Sequence, residues 1–352
     1  MSKIIKIIIY VGDGNRYTRS YRRLESLKKL GYNVFEKSHQ PVSEIGLIKK
    51  PALLTRIFHR LRLHRDSVGV NKWLLSIVRT EADIQLVWID GATNIYPWVL
   101  ARLKRANSNV VLIFLSEDDI IAKHNTSYWL KFGLHSYDYV FTTKQFNIDE
   151  LHLIGARNVH LFSDSYCKEI HYPCHLTSKE ESIYLANVSA IGAYEEDRYN
   201  SLLYIAKKGV KVSVWGGGWD AYINKHCNLD IKGRYLYGDE YSKAISGSKI
   251  NLNFLRKMNR DTITSRSIEI PACKGFMLSE RTDRQREVFT EGREADYFSS
   301  DDELLRKIKF FLTHDDKRQE IAENGFNKCI NSKLSMEDVV SGVIEKSVIN
   351  KR

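Results

Sequence analysis

Proline and cysteine are both scarce in this chain, and each shortage removes a class of structure. Five prolines in 352 residues, with no low-complexity tract, argue against long linkers or disordered tails. The cysteines (Cys167, Cys174, Cys227, Cys273 and Cys329) are odd in number and irregular in spacing. That pattern excludes a disulfide framework and suggests a reducing compartment. No fixed-period repeat is present. The apolar run at the N-terminus, Ile4 to Val11, is interrupted by Lys6, is too short to span a membrane and lacks a small-residue cleavage site. It reads as a first buried strand. Acidic residues are outnumbered, 43 against 54 Lys and Arg, for a formal net charge of +11. Such an excess favours an anionic partner: a phosphorylated substrate, an acidic membrane surface or nucleic acid.

What is present is a soluble α/β pattern. At 352 residues the chain exceeds one typical core, so two domains of roughly 150–200 residues are expected. In the first half, strands at Lys3–Tyr10, Asn33–Glu36, Leu86–Ile89, Val110–Leu115, Tyr139–Thr142 and Val159–Phe162 alternate with helices at Thr18–Leu30, Ile95–Arg105 and Phe146–Ile154. A second series begins with a strand at Ile183–Ala186. A helix at Arg198–Lys208, a strand at Val210–Trp215, a helix at Asp239–Ser246 and a strand at Lys249–Leu255 follow it. Helices at Glu303–Leu312, Lys317–Ile330 and Met336–Val348 close the chain. Two such series joined at about 165–182 imply two Rossmann-like domains facing each other over a cleft, with ligands at the carboxyl ends of the strands.

The segment Asn251–Thr282, NLNFLRKMNRDTITSRSIEIPACKGFMLSERT, carries the densest chemistry. A strand leads into a loop holding Arg256, Lys257, Arg260 and Asp261. Thr264 or Ser265 then caps a helix that runs through Ala272 and stops at Gly275, a residue suited to the left-handed C-terminal conformation. Phe276–Leu278 is the next buried strand. A basic loop feeding a helix N-terminus at a strand end suits a phosphorylated ligand. Any one of these cations also has the reading of solvated surface charge.

The runs SEDD at 116–119, FTTKQFNIDEL at 141–151, GARNVH at 155–160, HYP at 171–173, VWGGGW at 214–219, RSIEIPACKGFMLSERT at 266–282 and EGREADYFSSDDELLRKI at 291–308 together resemble the spore-maturation-type (CgeB-like) glycosyltransferases. These are relatives of the family-4 retaining enzymes with the GT-B fold. The resemblance covers about 116–330 and implies a nucleotide-sugar donor held by the C-terminal domain. It also implies an acceptor held by the N-terminal domain, and transfer with retention and without a bound metal. The domains implied are 1–172, with a C-terminal helix at 335–352 packing back on it, and 178–334.

The family-4 relatives carry two Glu separated by seven residues. Glu269 fits the second, which holds the donor ribose there; Asp261 stands where the first Glu is expected. The resemblance also places Arg198 near the phosphates, a surface ion pair with Glu195 or Asp197 being the alternative. Arg266 and Arg256 are the leading diphosphate contacts. Gly216 and Gly217, in the Trp215–Trp219 turn, offer close backbone approach and amide donors; a plain tight turn explains them equally well. Tyr235 is a candidate beside the base. Gly12 and Gly14 follow the first strand and are candidates for the donor phosphates, but they lack the GxGxxG spacing, so a dinucleotide cofactor is not expected. Asp118, with Glu117 and Asp119, lies after the Val110–Leu115 strand and suits an acceptor hydroxyl, helix capping being the alternative; Lys144 also lies at a strand end.

Cys167, His171, Cys174 and His175 fit no standard zinc spacing, and no metal is expected. Residues 49–65, KKPALLTRIFHRLRLHR, have an apolar face at helical spacing, six Lys or Arg and no acid; contact with anionic lipid and a core helix with a basic outer side are both open. The expectation is a cytoplasmic enzyme of polysaccharide biosynthesis, peripheral at the membrane in the first of those readings, acting on a saccharide or lipid-linked acceptor. A GT-B epimerase or phosphorylase and a non-catalytic binder of anionic polymer are the alternatives, and no nucleic-acid module is recognised.

Overall fold

The computed structural model describes residues 6–43, 53–81 and 83–349. The chain divides into two compact units, residues 1–163 with 336–352 and residues 164–335. Residues 171–174 belong to the second unit because Tyr172 and Cys174 donate their amides to the hydroxyls of Ser242 and Ser246 (3.3 and 3.0 Å). The boundary therefore falls earlier than the 172 read from the sequence.

In the first unit the elements run β1 (Ile7–Gly12), α1 (Arg19–Lys29), β2 (Asn33–Ser38), α2 (Leu53–Arg60), α3 (Val70–Thr80), β3 (Leu86–Asp90), α4 (Pro97–Ala106), β4 (Val111–Ser116), α5 (Tyr128–Gly133), β5 (Tyr139–Thr142), α6 (Asn147–Leu153) and β6 (Val159–Leu161). The second unit holds α7 (Ser178–Tyr184), β7 (Ala186–Ile191), α8 (Glu196–Lys207), β8 (Val212–Trp215), β9 (Leu229–Ile231), α9 (Asp239–Ser246), β10 (Ser248–Asn253), α10 (Arg266–Ala272), β11 (Met277–Glu280), α11 (Asp283–Val288), β12 (Asp296–Phe298), α12 (Asp301–Thr313) and α13 (Asp315–Asn331). The last helix, α14 (Met336–Ile349), returns to the first unit.

Each unit is built on one six-stranded parallel sheet, ordered β2-β1-β3-β4-β5-β6 in the first and β12-β11-β10-β7-β8-β9 in the second. The inner strands β3, β4 and β5 are buried along their whole length, as parallel strands covered on both faces must be. Their side chains divide by the two-residue period. Val87, Ile89, Leu112, Phe114 and Val140 pack with Leu74, Val99 and Leu103 on one face. Leu86, Trp88, Ile113, Leu115, Tyr139 and Phe141 pack with Leu24, Leu27, Met336, Val340 and Val343 on the other.

Three sequence expectations shift. Ile183–Ala186 is not a strand: Thr177 and Glu180 form a capping box that starts α7, and the helix runs to Tyr184 before β7 begins at Ala186. The small, polar β7 has no β-branched run to announce it. The expected Lys3–Tyr10 strand begins at Ile7, with residues 1–5 outside the described residues. Of the 49–65 helix, 53–60 is helical and 49–52 lie outside the described residues.

Beneath the carboxyl ends of β1, β3 and β4 lies a buried ion network. Asp90 accepts from Arg23 through Nε (2.6 Å) and Nη2 (2.8 Å) and from the Tyr10 hydroxyl (2.5 Å). Glu117 pairs with Arg23 Nη1 and Arg19 Nε, both at 2.7 Å. Burial alone would raise the Glu117 pKa, but the two guanidiniums outweigh it and hold the carboxyl near 2, against 4.5 ordinarily. A depressed carboxylate stabilises the fold above its unfolded pKa and loses that contribution as pH falls through the folded one. Urea unfolding should therefore show the first unit weakening from about pH 4.5 toward pH 2. Glu117→Gln should flatten that part of the profile; an unchanged slope would remove Glu117 from the account.

Candidate functional site

In the second sheet the chain turns back between β7 and β10: β8 and β9 extend one side, and β10, β11 and β12 the other. Such a switch point opens a crevice at the carboxyl ends of the two strands. Arg198, in the first turn of α8, fills it. Its Nη1 donates to the carbonyl of Ala193, just past β7, and its guanidinium carbon lies 6.0 Å from the ring centre of Phe254, just past β10. A Cβ on Gly192 would come within 2.7 Å of Nη1, so a side chain there would displace the guanidinium. Arg198 is 4% exposed, and its Nη2 is buried with no hydrogen-bond partner. Burial first, then the neighbouring charge of Arg266, lowers its pKa to about 10. The two acids of the alternative surface ion pair have other partners: Glu195 pairs with Arg256 (3.0 Å) and Asp197 with Lys257 (2.8 Å).

Arg266 opens α10, and its Nε is likewise buried without a partner. The first turn of α10 is held by a buried polar network on the face of the sheet opposite its apolar core. Asn253 Nδ2 donates to Ser267 Oγ (3.0 Å) and Ser279 Oγ (3.1 Å), and Ser267 Oγ donates to Gln285 Oε1 (2.8 Å). Gln285 Nε2 in turn donates to Ser279 Oγ (2.8 Å). Fully satisfied networks of this kind fix geometry more tightly than apolar packing does, so Arg266 projects from a rigid base. Ser265 does not cap the helix; its hydroxyl donates to Asp164 (2.9 Å). The left-handed residue that ends α10 is Lys274, with φ +57°, not Gly275. Gly275 is required by packing instead, since a Cβ there would meet Ile245 at 2.5 Å.

One turn along α10, Glu269 is 8% exposed. Its Oε2 accepts from the Tyr241 hydroxyl at 2.7 Å, and His171 Nε2 stands 3.9 Å from Oε1. These contacts orient the Glu269 carboxylate. Asp261 lies in the loop before α10, where Asn259 Nδ2 donates to its Oδ1 (2.7 Å). Sequence reasoning did not single out Tyr241 or Glu280, and it weighed His171 only as a zinc ligand. The Glu280 carboxyl, at the end of β11, accepts from the Leu255 amide (2.6 Å). Burial raises its pKa, with Lys257 and Arg198 acting against that.

The remaining expected contacts divide. Gly216 has φ +135°, and a Cβ there would lie 2.1 Å from the Gly192 carbonyl oxygen; its amide is already bonded to Arg234 O (2.9 Å). It is therefore explained by backbone packing against the crevice wall. Gly217 lies under Tyr235, whose hydroxyl a Cβ would meet at 2.1 Å. In the first unit Gly12 is crowded by Ser20 and Tyr10, and Gly14 by Val42 and Ser38, so both are accounted for by local packing. Asp118 is exposed, and its amide donates to Ser116 Oγ (3.1 Å). Its neighbours have structural tasks: Glu117 is in the ion network, and Asp119 Oδ1 accepts from the amide of Ile121 (3.1 Å) and from Asn147 Nδ2 (3.0 Å). No helix starts at Asp119, whose carboxylate instead holds the turn after β4. Lys144 is buried at the end of β5.

Residues 198–339 match the family model described as glycosyl transferase-like. No curated protein matches the chain. Among solved structures, the chain is similar to HepE from Anabaena in complex with UDP, at 11% identity over 97% of this chain and 99% of that one, with a TM-score of 0.62. It is similar to a glycosyltransferase from Rickettsia africae at 12% identity over 99% of each chain, with a TM-score of 0.66. An alpha-glucosyltransferase in complex with UDP matches at 12% identity over 98% of this chain and all of that one, with a TM-score of 0.63. At such low identity the likeness establishes the fold: α/β with two Rossmann-like sheets, GT-B.

Proposed function

We propose that this chain is a glycosyltransferase that takes its sugar from a nucleotide-diphosphate donor bound at the carboxyl ends of β7, β8 and β10. The observation that carries the proposal is the pair of guanidiniums at the switch point, Arg198 and Arg266, each with a buried nitrogen that has no partner. Unpaired buried charge is costly, and a diphosphate supplies both the countercharge and the acceptors. The match to a glycosyl transferase-like model begins at Arg198 and includes Arg266 and Glu269, and structures of the same fold have UDP bound.

In the proposed reaction the bond between the sugar's anomeric carbon and the diphosphate oxygen breaks, and a bond from the acceptor oxygen to that carbon forms on the same face. The acceptor proton passes to the departing phosphate. Arg198 and Arg266, with Arg256 nearer solvent, stabilise the charge that grows on the diphosphate, so the step as proposed requires no metal. Glu269, oriented by Tyr241 and His171, receives the ribose hydroxyls, and Asp261 a sugar hydroxyl. The acceptor class is a saccharide or lipid-linked saccharide.

A melting-temperature screen against nucleoside diphosphates and nucleotide sugars tests the donor half of the proposal. A ligand at a hundred times its dissociation constant stabilises by about 2.7 kcal/mol. One nucleotide series should raise the melting temperature selectively. No shift with any of them at millimolar concentration would contradict a donor site here.

A further inference from the structure

In the first unit, α2 buries none of its residues. Leu53, Leu54, Ile57 and Leu61, spaced to share one face, are between 44% and 70% exposed. Arg56, His59 and Arg60 take the other sides, and Arg62 and Arg65 follow, with no acid before Asp66. The helix closes on Arg62, which takes a left-handed φ of +56° while Arg62 and Leu63 donate their amides to His59 O and Phe58 O (both 2.9 Å). It is thus a helix with a closed C-terminal turn, and among the described residues nothing covers its apolar face.

The turn after α2 is tied to a second exposed apolar group. The Tyr128 amide donates to Arg62 O (2.9 Å), and the Arg62 guanidinium lies 6.0 Å from the Tyr128 ring centre. Trp129 donates from Nε1 to His64 O (3.1 Å) and packs edge-on against Trp98 at 5.7 Å. Around this anchor Tyr128, Phe132 and Trp98 are 42%, 62% and 50% exposed. Single exposed apolar side chains are ordinary, but seven large ones on linked elements mark an interaction surface.

From these contacts we infer that α2 and the exposed aromatics of α4 and α5 seat the protein on an anionic lipid bilayer. The charge decides the occupant. A helix with an aliphatic face, flanked by arginines and unrelieved by acid, lies in the interface plane with its apolar side among the acyl chains and its cations among the headgroups. Tyrosine and tryptophan favour the same depth because each has an apolar body and a polar tip, and arginine stems cover apolar surface while the heads reach phosphate. A second copy of the chain would bring this basic face against itself. The inference does not depend on the donor site, which lies in the other unit.

The test is flotation of the full chain with vesicles of phosphatidylcholine, with and without phosphatidylglycerol, at low and raised ionic strength. Binding should require the anionic lipid and weaken with salt. Leu54→Ser with Ile57→Ser should reduce partitioning roughly tenfold or more, and Arg56→Gln with Arg60→Gln should do the same. All four positions are exposed, so melting temperature and the nucleotide-induced shift should stay at wild-type values. Trp98 fluorescence should move to shorter wavelength on vesicles. No binding to either vesicle, or binding indifferent to charge and to both variants, overturns the inference. So does a concentration-dependent dimer that Leu54→Ser with Ile57→Ser dissolves, since a second copy would then be the occupant.

Discussion

Replacing Arg266 by alanine is expected to slow the release of nucleoside diphosphate from the donor sugar by about two orders of magnitude or more, while leaving the protein no less stable. The two halves belong together. A guanidinium that contributed to folding would make hydrogen bonds or ion pairs, but Arg266 Nε is buried without a partner and its charge lowers the pKa of buried Arg198. Removing it relieves a repulsion between like charges, so urea unfolding should give equal or greater stability. Activity moves the other way, because the charge that opposes folding attracts the departing diphosphate. Arg266→Lys should recover part of the rate, since lysine restores a point charge but not the planar fork. A variant that keeps near-normal turnover would remove Arg266 from the mechanism; one that loses stability and rate together would make it a structural residue.

Asp90→Ala is expected to have the largest effect on stability, about 3–5 kcal/mol as measured by urea unfolding, because it leaves a buried cation and a buried hydroxyl without their acceptor. Asp90 is 3% exposed and Arg23 4%, and Arg23 directs two of its nitrogens at this one carboxylate. Burial works against the charge on Arg23, yet Asp90 and Glu117 together raise its pKa well above the ordinary value. Glu117 remains in the variant but contacts only Nη1. A loss within about 1 kcal/mol, the range of a surface pair, would mean that water replaces the carboxylate and that the network is not buried in solution.

The α/β class was legible in the alternation of β-branched runs with amphipathic segments, because fully buried parallel strands such as Val111–Ser116 and Leu86–Asp90 have nothing polar to interrupt them. β7 escaped notice for the opposite reason. Its sequence, ANVSAI, is small and polar, with Ser189 Oγ donating to Asn251 Oδ1 (3.2 Å), and so lacks the apolar alternation that marks a strand. The arginines of the candidate site were legible as types but not as environments. Arg198 was placed near the phosphates by the resemblance, but its own neighbours offered a surface ion pair as well. The fold buries it and gives Glu195 and Asp197 to Arg256 and Lys257. Tyr241 and His171 are 28 and 98 residues from Glu269 in sequence, and no local spacing links them; only the packing of α9 and of the segment before α7 on α10 brings them to the carboxylate. The one available signal was that a buried Glu in an apolar helix face needs partners. Gly275 was assigned a backbone role that Lys274 performs, because a glycine needed for close packing and one needed for positive φ look the same in sequence.

The central claim, that Arg198 and Arg266, each with one buried nitrogen that has no hydrogen-bond partner, receive a diphosphate at the switch point, is tested most directly by calorimetric titration. The nucleoside diphosphate found in the melting screen, and the corresponding nucleoside, would be titrated into the wild type and into Arg198→Gln with Arg266→Gln. The wild type should bind the diphosphate far more tightly than the nucleoside, and the double variant should bind the two nearly alike, with nucleoside affinity unchanged. If the double variant keeps the full preference for the diphosphate, the phosphates are held elsewhere and the account is wrong at its centre.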